Sequence, residues 1–266
     1  MSSEFSPDWL ALRESADAVA RATELLGPLG ERLTGPLVIR DLGCGTGSLA
    51  RWLTGRLHGP QHWILHDRDP VLLARAQATV TGPGLTVETR QGDLTALRAE
   101  DLAGTSLVTA SALLDLLTVE EVNGLAEACV KAGSPALLTL SVAGKVEFTP
   151  ADPLDAEFAA AFDAHQRREA DGRRLLGPDA ATATAEAFER LGAVVHVRQS
   201  PWRLGAEQSA LTAEWLRGWV GAACEQRPEL AAVENSYLRR RLEACAAGML
   251  SVVVHHLDLL ALPAAP

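Results

Sequence analysis

The segment Asp41-Leu-Gly-Cys-Gly-Thr-Gly47 is the most informative stretch of the chain. It follows an apolar run at 36–42 and precedes a predicted helix that begins at Ser48. Glycine allows positive φ angles, and it lets a ligand approach the backbone because no Cβ stands in the way. The amides of the turn and the start of the helix would then face that ligand. The segment predicts a strand, a turn and a helix with a binding site at the turn.

The spacing of these glycines distinguishes between classes of ligand. A dinucleotide-binding turn reads GxGxxG, whereas this turn reads GxGxG and has Ser48 where the third glycine would be needed. Asp41 precedes the turn, and its carboxylate would repel a pyrophosphate but attract the ammonium group of an amino acid. The pattern therefore disfavours a nicotinamide-dependent reductase.

Strand-like and helix-like segments alternate beyond the turn. This alternation predicts βαβ units and an α/β fold with a doubly wound, mostly parallel, seven-stranded sheet and helical insertions after strands five and six. The predicted strands cover 36–42, 62–66, 85–89, 106–110, 136–142, 193–198 and 250–256, and the predicted helices after strand four cover 119–132, 154–170, 178–191, 207–226 and 230–247.

Polar residues follow each of the next three predicted strands, and the carboxyl ends of parallel strands meet at one edge of a sheet. Asp67 comes directly after strand two, where a carboxylate can accept hydrogen bonds from both hydroxyls of a ribose. Asp69 is the competing candidate, but its place before Pro70 is typical of a helix N-cap. Asp93 follows strand three, and Ser111 follows strand four.

The glycine turn, the order of the strands and these polar residues at the strand ends resemble those of the class I S-adenosylmethionine-dependent methyltransferases, in particular the type-12-like small-molecule branch. The resemblance covers about 36–142 and implies S-adenosylmethionine as the cofactor, with Asp67 at the ribose and Asp93 with Leu94 at the adenine. It assigns cofactor binding to Asp41, Gly43, Cys44, Gly45, Gly47, Asp67, Arg68, Asp93, Leu94 and Ser111. The chain lacks the Asn/Asp-Pro-Pro-Tyr/Phe tetrapeptide that marks many enzymes methylating amino groups of bases and glutamine.

The resemblance also implies a domain organisation for the whole chain. We expect a single methyltransferase domain over 1–266, with an N-terminal helical cap at 1–30 and a cofactor-binding half at 36–142. The segments 144–177 and 205–248 are expected to be helical insertions that form the acceptor side. The first of them is longer than a simple crossover requires, and such connections usually have a functional reason.

Three histidines outside the cofactor-binding half are candidate catalytic residues. A general base is needed where the acceptor must lose a proton, as a hydroxyl must, and histidine titrates in the right range. His165 shares a predicted helix face with Phe158 and Phe162, and its alternative role is that of a core histidine with a buried partner. His255 and His256 end the last strand and are expected to point to opposite faces, so that only one enters a given cavity.

The N-terminal helix offers one more cofactor contact. Arg13 could reach the methionine carboxylate if this helix closes over the cofactor. Alternatively, Arg13, Asp17 and Arg21 form a solvent-facing row of ion pairs, because they recur at every fourth position. Asp115 lies four residues beyond Ser111 and could face the same cleft.

Composition limits the choice of partners. A formal net charge of −10 disfavours nucleic acid, whose binding needs a concentrated basic surface. An apolar stripe with Trp215 and Trp219 favours core or homodimer packing over an aromatic substrate wall. Four arginines would fit an anionic acceptor, although a solvated helix face is the alternative; these are Arg167, Arg168, Arg173 and Arg174.

The sequence also indicates where the protein works. Its four cysteines are widely spaced and predict neither a disulfide frame nor a metal site. Neither a signal peptide nor an apolar run long enough to cross a bilayer is evident, so we expect a cytoplasmic protein without membrane association. The excess of arginine over lysine, with much alanine, leucine and glycine, suggests a GC-rich bacterial genome.

The expected function is methylation of a small-molecule acceptor, with O-methylation of a hydroxyl or carboxylate ahead of N- and C-methylation. Two alternatives stay open. One is a methyltransferase that acts on RNA or protein, and the other is a protein of this fold that binds the cofactor without transferring its methyl group.

Overall fold

The computed structural model describes residues 6–94, 97–170 and 172–264, which build helices around an eight-stranded sheet. The strands are β1 (Leu37–Leu42), β2 (Gln61–Asp67), β3 (Leu85–Gln91), β4 (Leu107–Ser111), β5 (Ala136–Thr149), β6 (Glu169–Ala170), β7 (Arg173–Arg174), β8 (Val194–Gln199), β9 (Trp202–Leu204) and β10 (Ser251–Leu262). The helices are α1 (Pro7–Ala20), α2 (Leu26–Gly30), α3 (Ser48–Thr54), α4 (Pro70–Thr79), α5 (Val119–Ala132), α6 (Asp155–Gln166), α7 (Ala180–Arg190), α8 (Ser209–Gln226) and α9 (Ala231–Ala246).

The sheet has the order β3-β2-β1-β4-β5-β10-β8, and β9 pairs with β10 outside this path. Strands β1 to β5 run parallel to one another, whereas β10 runs antiparallel to β5, β8 and β9. The order reverses between β1 and β4, and ligands of such sheets bind at this switch point, beyond the carboxyl ends of the strands. The predicted doubly wound, mostly parallel fold is confirmed.

Alternation of side chains along the strands divides the core into two layers, because successive residues of a strand point to opposite faces. Leu107 and Leu137 pack with α2, α3 and α4 on one face. Val108 and Leu138 pack with α5 and α7 on the other face. A third cluster joins the outer part of β5 and β10 to α6, α8 and α9, and it contains the buried rings of Phe158 and Trp219.

The predicted boundaries are wrong in the second half of the sheet. Strand β5 extends to Thr149 and β10 extends to Leu262, so the segment 144–177 begins as a strand and later includes the β6–β7 hairpin. Phe148 is buried while Lys145 and Glu147 flank it on the exposed side, which is a strand pattern of period two. The charged residues Lys145 and Glu147 are typical of a loop, which is why the sequence does not predict a strand here. The short strand β9 was not predicted.

Among the described residues, no helix is both long enough and apolar enough to span a membrane.

Candidate active site

The glycine turn leaves β1 and enters α3 through three residues with positive φ, namely Gly43 at 63°, Gly45 at 54° and Gly47 at 84°. A Cβ on Gly47 would lie 2.6 Å from a methyl of Val80, and the Gly47 N–H donates to Cys44 O at 2.8 Å. Gly47 is therefore required for the packing of the turn against α4. At Gly45, a Cβ would lie 3.2 Å from Leu10 of α1, so the N-terminal helix closes over the turn.

Asp67 ends β2 beside this turn, and its side chain is buried. Its Oδ2 accepts from the Gly45 N–H at 2.9 Å, and its Oδ1 accepts from the Asp69 N–H at 3.0 Å. A carboxylate oxygen can accept more than one hydrogen bond, so each oxygen retains capacity for a ligand hydroxyl. The Asp69 side chain accepts from the Val71 N–H at 2.8 Å, which confirms its predicted role as the N-cap of α4.

Asp41 is buried at the end of β1 and is incompletely satisfied. Its Oδ1 accepts from Thr109 Oγ1 at 2.8 Å, whereas Oδ2 has no hydrogen-bond partner within the described part of the chain. Burial raises the pKa of Asp41 to about 7, although Thr109 and Arg21 oppose the shift. A buried acceptor without a partner costs free energy, and an ammonium group would satisfy it.

Arg21 supplies the complementary charge next to Asp41. Its side chain is buried, and its Nη2 contacts Ser48 Oγ at 3.5 Å and Ser111 Oγ at 3.3 Å. Nε and Nη1 of Arg21 lack hydrogen-bond partners among residues 6–94, 97–170 and 172–264. Asp17 and Arg21 are only 4% and 3% exposed, so the solvent-facing row of ion pairs is wrong. A guanidinium with unused donors at this point suits a carboxylate.

Arg13 does not contact the glycine turn; it lies between Asp17 and the ring of Trp202. Its guanidinium pairs with Asp17, with Nε–Oδ2 at 3.0 Å and Nη2–Oδ1 at 3.2 Å, and it stands 4.9 Å from the centre of the Trp202 ring. Trp202 Nε1 also donates to Asp17 Oδ1 at 2.9 Å. These contacts fix α1 against β9, and they place Arg13 in the wall of the cavity described below.

The remaining predicted cofactor residues surround the turn. Leu94 Cδ1 lies 3.7 Å from the Cβ position of Gly43. Arg68 and Asp93 are exposed beyond β2 and β3, on the same side of the sheet edge as Leu94. Cys44 is buried, and burial raises the pKa of its thiol, so it is a neutral group at neutral pH.

A cavity of about 200 Å³ lies beyond the carboxyl end of β4 and beside the middle of β5, under α1, α6 and α8. We call it the aromatic cavity because four large rings belong to its wall. Its lining residues are Trp9, Arg13, Ala112, Asp115, Leu140, Val142, Gly144, Lys145, Val146, Phe162, Asp163, Gln166, Trp202, Trp215, Val254, His255 and His256. The segments 144–177 and 205–248 both contribute to it.

Two lining residues have an unusual backbone. Ala112 has a φ of 51° and Leu140 a φ of 57°, and they are the non-glycine residues with positive φ in the described chain. The Leu140 N–H donates to Asp258 Oδ1 at 2.7 Å, and the Ala112 N–H donates to Thr139 O at 2.9 Å. Such conformations cost free energy and tend to cluster at functional sites.

His255 and His256 both line the aromatic cavity, so the expectation that they face opposite sides is wrong. The register between β10 and β5 shifts between Val254 and His256, and a bulge of this kind turns two successive side chains to the same side. Burial, followed by the charge of Arg13, lowers the pKa of His256 to about 3, and its Nδ1 has no partner within the described chain. His255 Nε2 lies 3.3 Å from Glu147 Oε1.

His165 does not reach the cavity. Its Nε2 lies 3.2 Å from Glu225 Oε2 at the surface between α6 and α8, and burial lowers its pKa. The neighbouring positions Phe162, Asp163 and Gln166 of α6 line the cavity instead. The spacing predicts one shared face, but the rings of Phe158 and Phe162 turn towards Trp219 and leave His165 at the edge of the helix interface.

The four arginines that suggested an anionic acceptor do not line the aromatic cavity either. Arg167 pairs with Asp179, with Nε–Oδ2 at 2.6 Å, and Arg173 pairs with Glu121, with Nη2–Oε2 at 2.6 Å. Arg168 contacts His165. Arg167 and Arg173 therefore serve local ion pairs beside α6 and in the β6–β7 hairpin.

Two carboxyl groups of the cavity have a raised pKa. Burial raises the pKa of Asp115, which lies in the turn after β4, and burial raises that of Asp163 of α6 to about 6. Asp163 was not a sequence candidate. Its position directly after Phe162 would have indicated the cavity only if the rotation of α6 had been known.

The doubly wound sheet, the glycine turn and the carboxylate at the end of β2 define the fold and cofactor edge of a class I methyltransferase. Residues 39–135 match the family model of a methyltransferase domain. Residues 39–135 therefore form a methyltransferase domain on the doubly wound sheet, and S-adenosylmethionine is the cofactor of this domain.

Solved structures agree with the fold. A cyclopropane synthase from Mycobacterium tuberculosis is 14% identical, with 97% of this chain and 95% of that chain covered and a TM-score of 0.53. A protein from Bacillus halodurans that is described as a methyltransferase is 16% identical, with 90% and 98% covered and a TM-score of 0.51. No curated protein sequence matches this chain.

The residues present fit this cofactor. The unsatisfied Oδ2 of Asp41 suits an ammonium group, and the unused donors of Arg21 suit a carboxylate, the two charges of a methionine moiety. Asp67 retains acceptor capacity for ribose hydroxyls at the end of β2.

Proposed function

We propose that the chain methylates a hydroxyl oxygen of a small-molecule acceptor bound in the aromatic cavity. The observation that carries this proposal is Asp115, a carboxyl group with raised pKa that lines the cavity just beyond Ser111, the last residue of β4. A hydroxyl must lose its proton to become a good nucleophile, and a positioned carboxylate can accept that proton.

S-adenosylmethionine supplies a methyl group activated by a positively charged sulfur. The chain contributes binding and orientation, with Asp41 and Arg21 at the methionine end and Asp67 at the ribose. Trp9, Trp202 and the other rings of the cavity would exclude water from the acceptor, and alignment in a dry site accounts for much of the rate in such transfers.

His256 is suited to orienting the acceptor. Its lowered pKa keeps the imidazole neutral at neutral pH, so one ring nitrogen donates and the other accepts. His255 lies beside it and remains a second candidate for contact with the acceptor. The cavity of about 200 Å³ supports a small acceptor over RNA or a folded protein.

The test is a methylation assay on a panel of small alcohols, phenols, carboxylic acids and amines, with products detected by mass spectrometry. With an acceptor in hand, Asp115→Asn should lower turnover roughly 10²–10⁴-fold and leave the affinity for S-adenosylhomocysteine unchanged. Glu127→Gln, an exposed carboxylate of α5 paired with Lys131, is the matched control.

Normal turnover of Asp115→Asn would contradict the role of Asp115 as the base. Binding of S-adenosylhomocysteine without any methylated product from the panel would instead favour a protein that holds the cofactor without transferring its methyl group.

A further inference from the structure

The charges around the aromatic cavity do not cancel. The cations that line it are already paired, Arg13 with Asp17 at 3.0 Å and Lys145 with Glu147. Next to the cavity, Arg167 is engaged by Asp179 at 2.6 Å. His256 is neutral, and His255 contacts Glu147 at 3.3 Å. Within the described part of the chain neither Asp115 nor Asp163 forms an ion pair, although Arg13 and Arg168 act electrostatically on Asp115 and Arg167 acts on Asp163.

Asp163 is half-buried and is therefore the more accessible of these two carboxylates. Its side chain has no hydrogen-bond partner within residues 6–94, 97–170 and 172–264. A Cβ at Gly144 would lie 3.1 Å from Asp163 Oδ2, so the glycine makes room for the carboxylate against β5. Arg167 and Asp179 act on it electrostatically with opposite signs.

Aromatic faces accompany this carboxylate in the same wall. Phe162 precedes Asp163 on α6, and Trp215 of α8 stacks on Trp219 with ring centres 5.4 Å apart. Aromatic faces attract cations, particularly where water is excluded. His256 is 4% exposed, lines this cavity and has an unpartnered Nδ1, which is a second and independent sign that a polar ligand enters it.

We propose that the outer end of the aromatic cavity is a subsite for a positively charged amino group of the acceptor, with Asp163 as its counter-ion. This inference rests on the proposed function, because it assigns the substrate class of the same cavity. The acceptor is a small amine that also carries the atom to be methylated. A free carboxylate or phosphate on the acceptor is disfavoured, since it would meet Asp163 and Asp115.

The test compares three probes of similar size, which are phenethylamine, 2-phenylethanol and phenylacetate. Their binding to the protein saturated with S-adenosylhomocysteine is measured by calorimetry or NMR titration. The amine should bind at least tenfold more tightly than the other two. Asp163→Asn should remove this preference, whereas Glu225→Gln, a carboxylate of α8 outside the cavity, should retain it.

The preference should also decline as the pH falls through about 6, where Asp163 becomes protonated. Equal binding of the three probes, binding of none, or an amine preference that survives in a folded Asp163→Asn variant would overturn the subsite. Amine selectivity without methylated product from any hydroxyl-bearing amine would overturn the proposed function alone.

Discussion

The cofactor edge and the aromatic cavity adjoin each other, but they are built differently. The cofactor edge takes its main residues, Asp41, Gly45 and Asp67, from two successive strands and the turn between them. A hydrogen bond joins two of them directly, since the Gly45 N–H donates to the side-chain oxygen Oδ2 of Asp67 at 2.9 Å. The cavity takes its wall from α1, β5, α6, α8, β9 and β10, which are far apart in the chain.

This difference explains how freely the residues of each region can change. A site made by a glycine turn and the ends of parallel strands is fixed by the backbone, and it serves one ligand. A wall made by side chains of distant helices can change without disturbing the sheet, because loops and helices outside the sheet carry fewer constraints. The following predictions test whether the two regions are as separable as this comparison implies.

The largest effect is expected at Asp67. Each lost hydrogen bond to a charged group costs about 1.5–3 kcal/mol, so Asp67→Ala should weaken S-adenosylhomocysteine binding at least about a hundredfold. Asp69→Ala should leave binding nearly unchanged and lower the free energy of unfolding by about 0.5–2 kcal/mol, because it removes an N-cap. Calorimetry and thermal unfolding of both variants measure this. Equal losses of affinity would mean that the ribose is bound elsewhere.

Arg21 should have the next largest effect. Arg21→Leu should weaken binding of S-adenosylhomocysteine about tenfold to a hundredfold, because it removes the donors expected at the methionine carboxylate. Arg13→Leu is the matched control and should change the affinity little. An analogue of S-adenosylhomocysteine that lacks the carboxylate should bind wild type and Arg21→Leu alike. A larger loss for Arg13→Leu would restore Arg13 as the carboxylate ligand.

The sequence predicted the cofactor edge because its information is local. The glycine spacing, Asp41 before the turn and Asp69 before Pro70 each determine the structure of residues close to them in the sequence. The sequence did not identify Arg21 as a cofactor residue. Arg21 lies at the C-terminal end of α1, and the position of its guanidinium depends on the direction in which the chain leaves that helix. The bulge at His255 and the rotation that brings Asp163 rather than His165 to the cavity depend on pairing and packing between distant segments, which spacing alone does not encode.

The pH dependence of cofactor binding is expected to follow Asp41. Its pKa of about 7 means that about a tenth of the molecules carry the carboxylate at pH 6, so S-adenosylhomocysteine should bind about tenfold more weakly there than at pH 8. Binding should release protons near pH 6, which calorimetry in two buffers of different ionisation enthalpy detects. Asp41→Asn should bind weakly at both pH values and show no such release.

The unliganded protein should respond to pH in the opposite sense. Because the folded state holds a proton on Asp41 that an unfolded aspartate gives up near pH 4, this group's contribution to stability is lost as the pH rises from about 4 through about 7. Asp41→Asn should remove that part of the dependence. His256 acts against it, since its lowered pKa adds stability as the pH rises from about 3 to about 6.5.

The smallest effect is expected at His165. Its contact with Glu225 is at the surface, and exposed ion pairs contribute about 0–1 kcal/mol. His165→Gln should therefore keep turnover within about twofold of wild type, because a residue outside the cavity cannot exchange a proton with the acceptor. His256→Gln is the contrasting variant, and it should raise KM or lower kcat because it alters the wall of the cavity. A hundredfold loss of turnover in His165→Gln, with normal cofactor affinity, would show that α6 rotates on binding the acceptor, and the two regions would then be coupled.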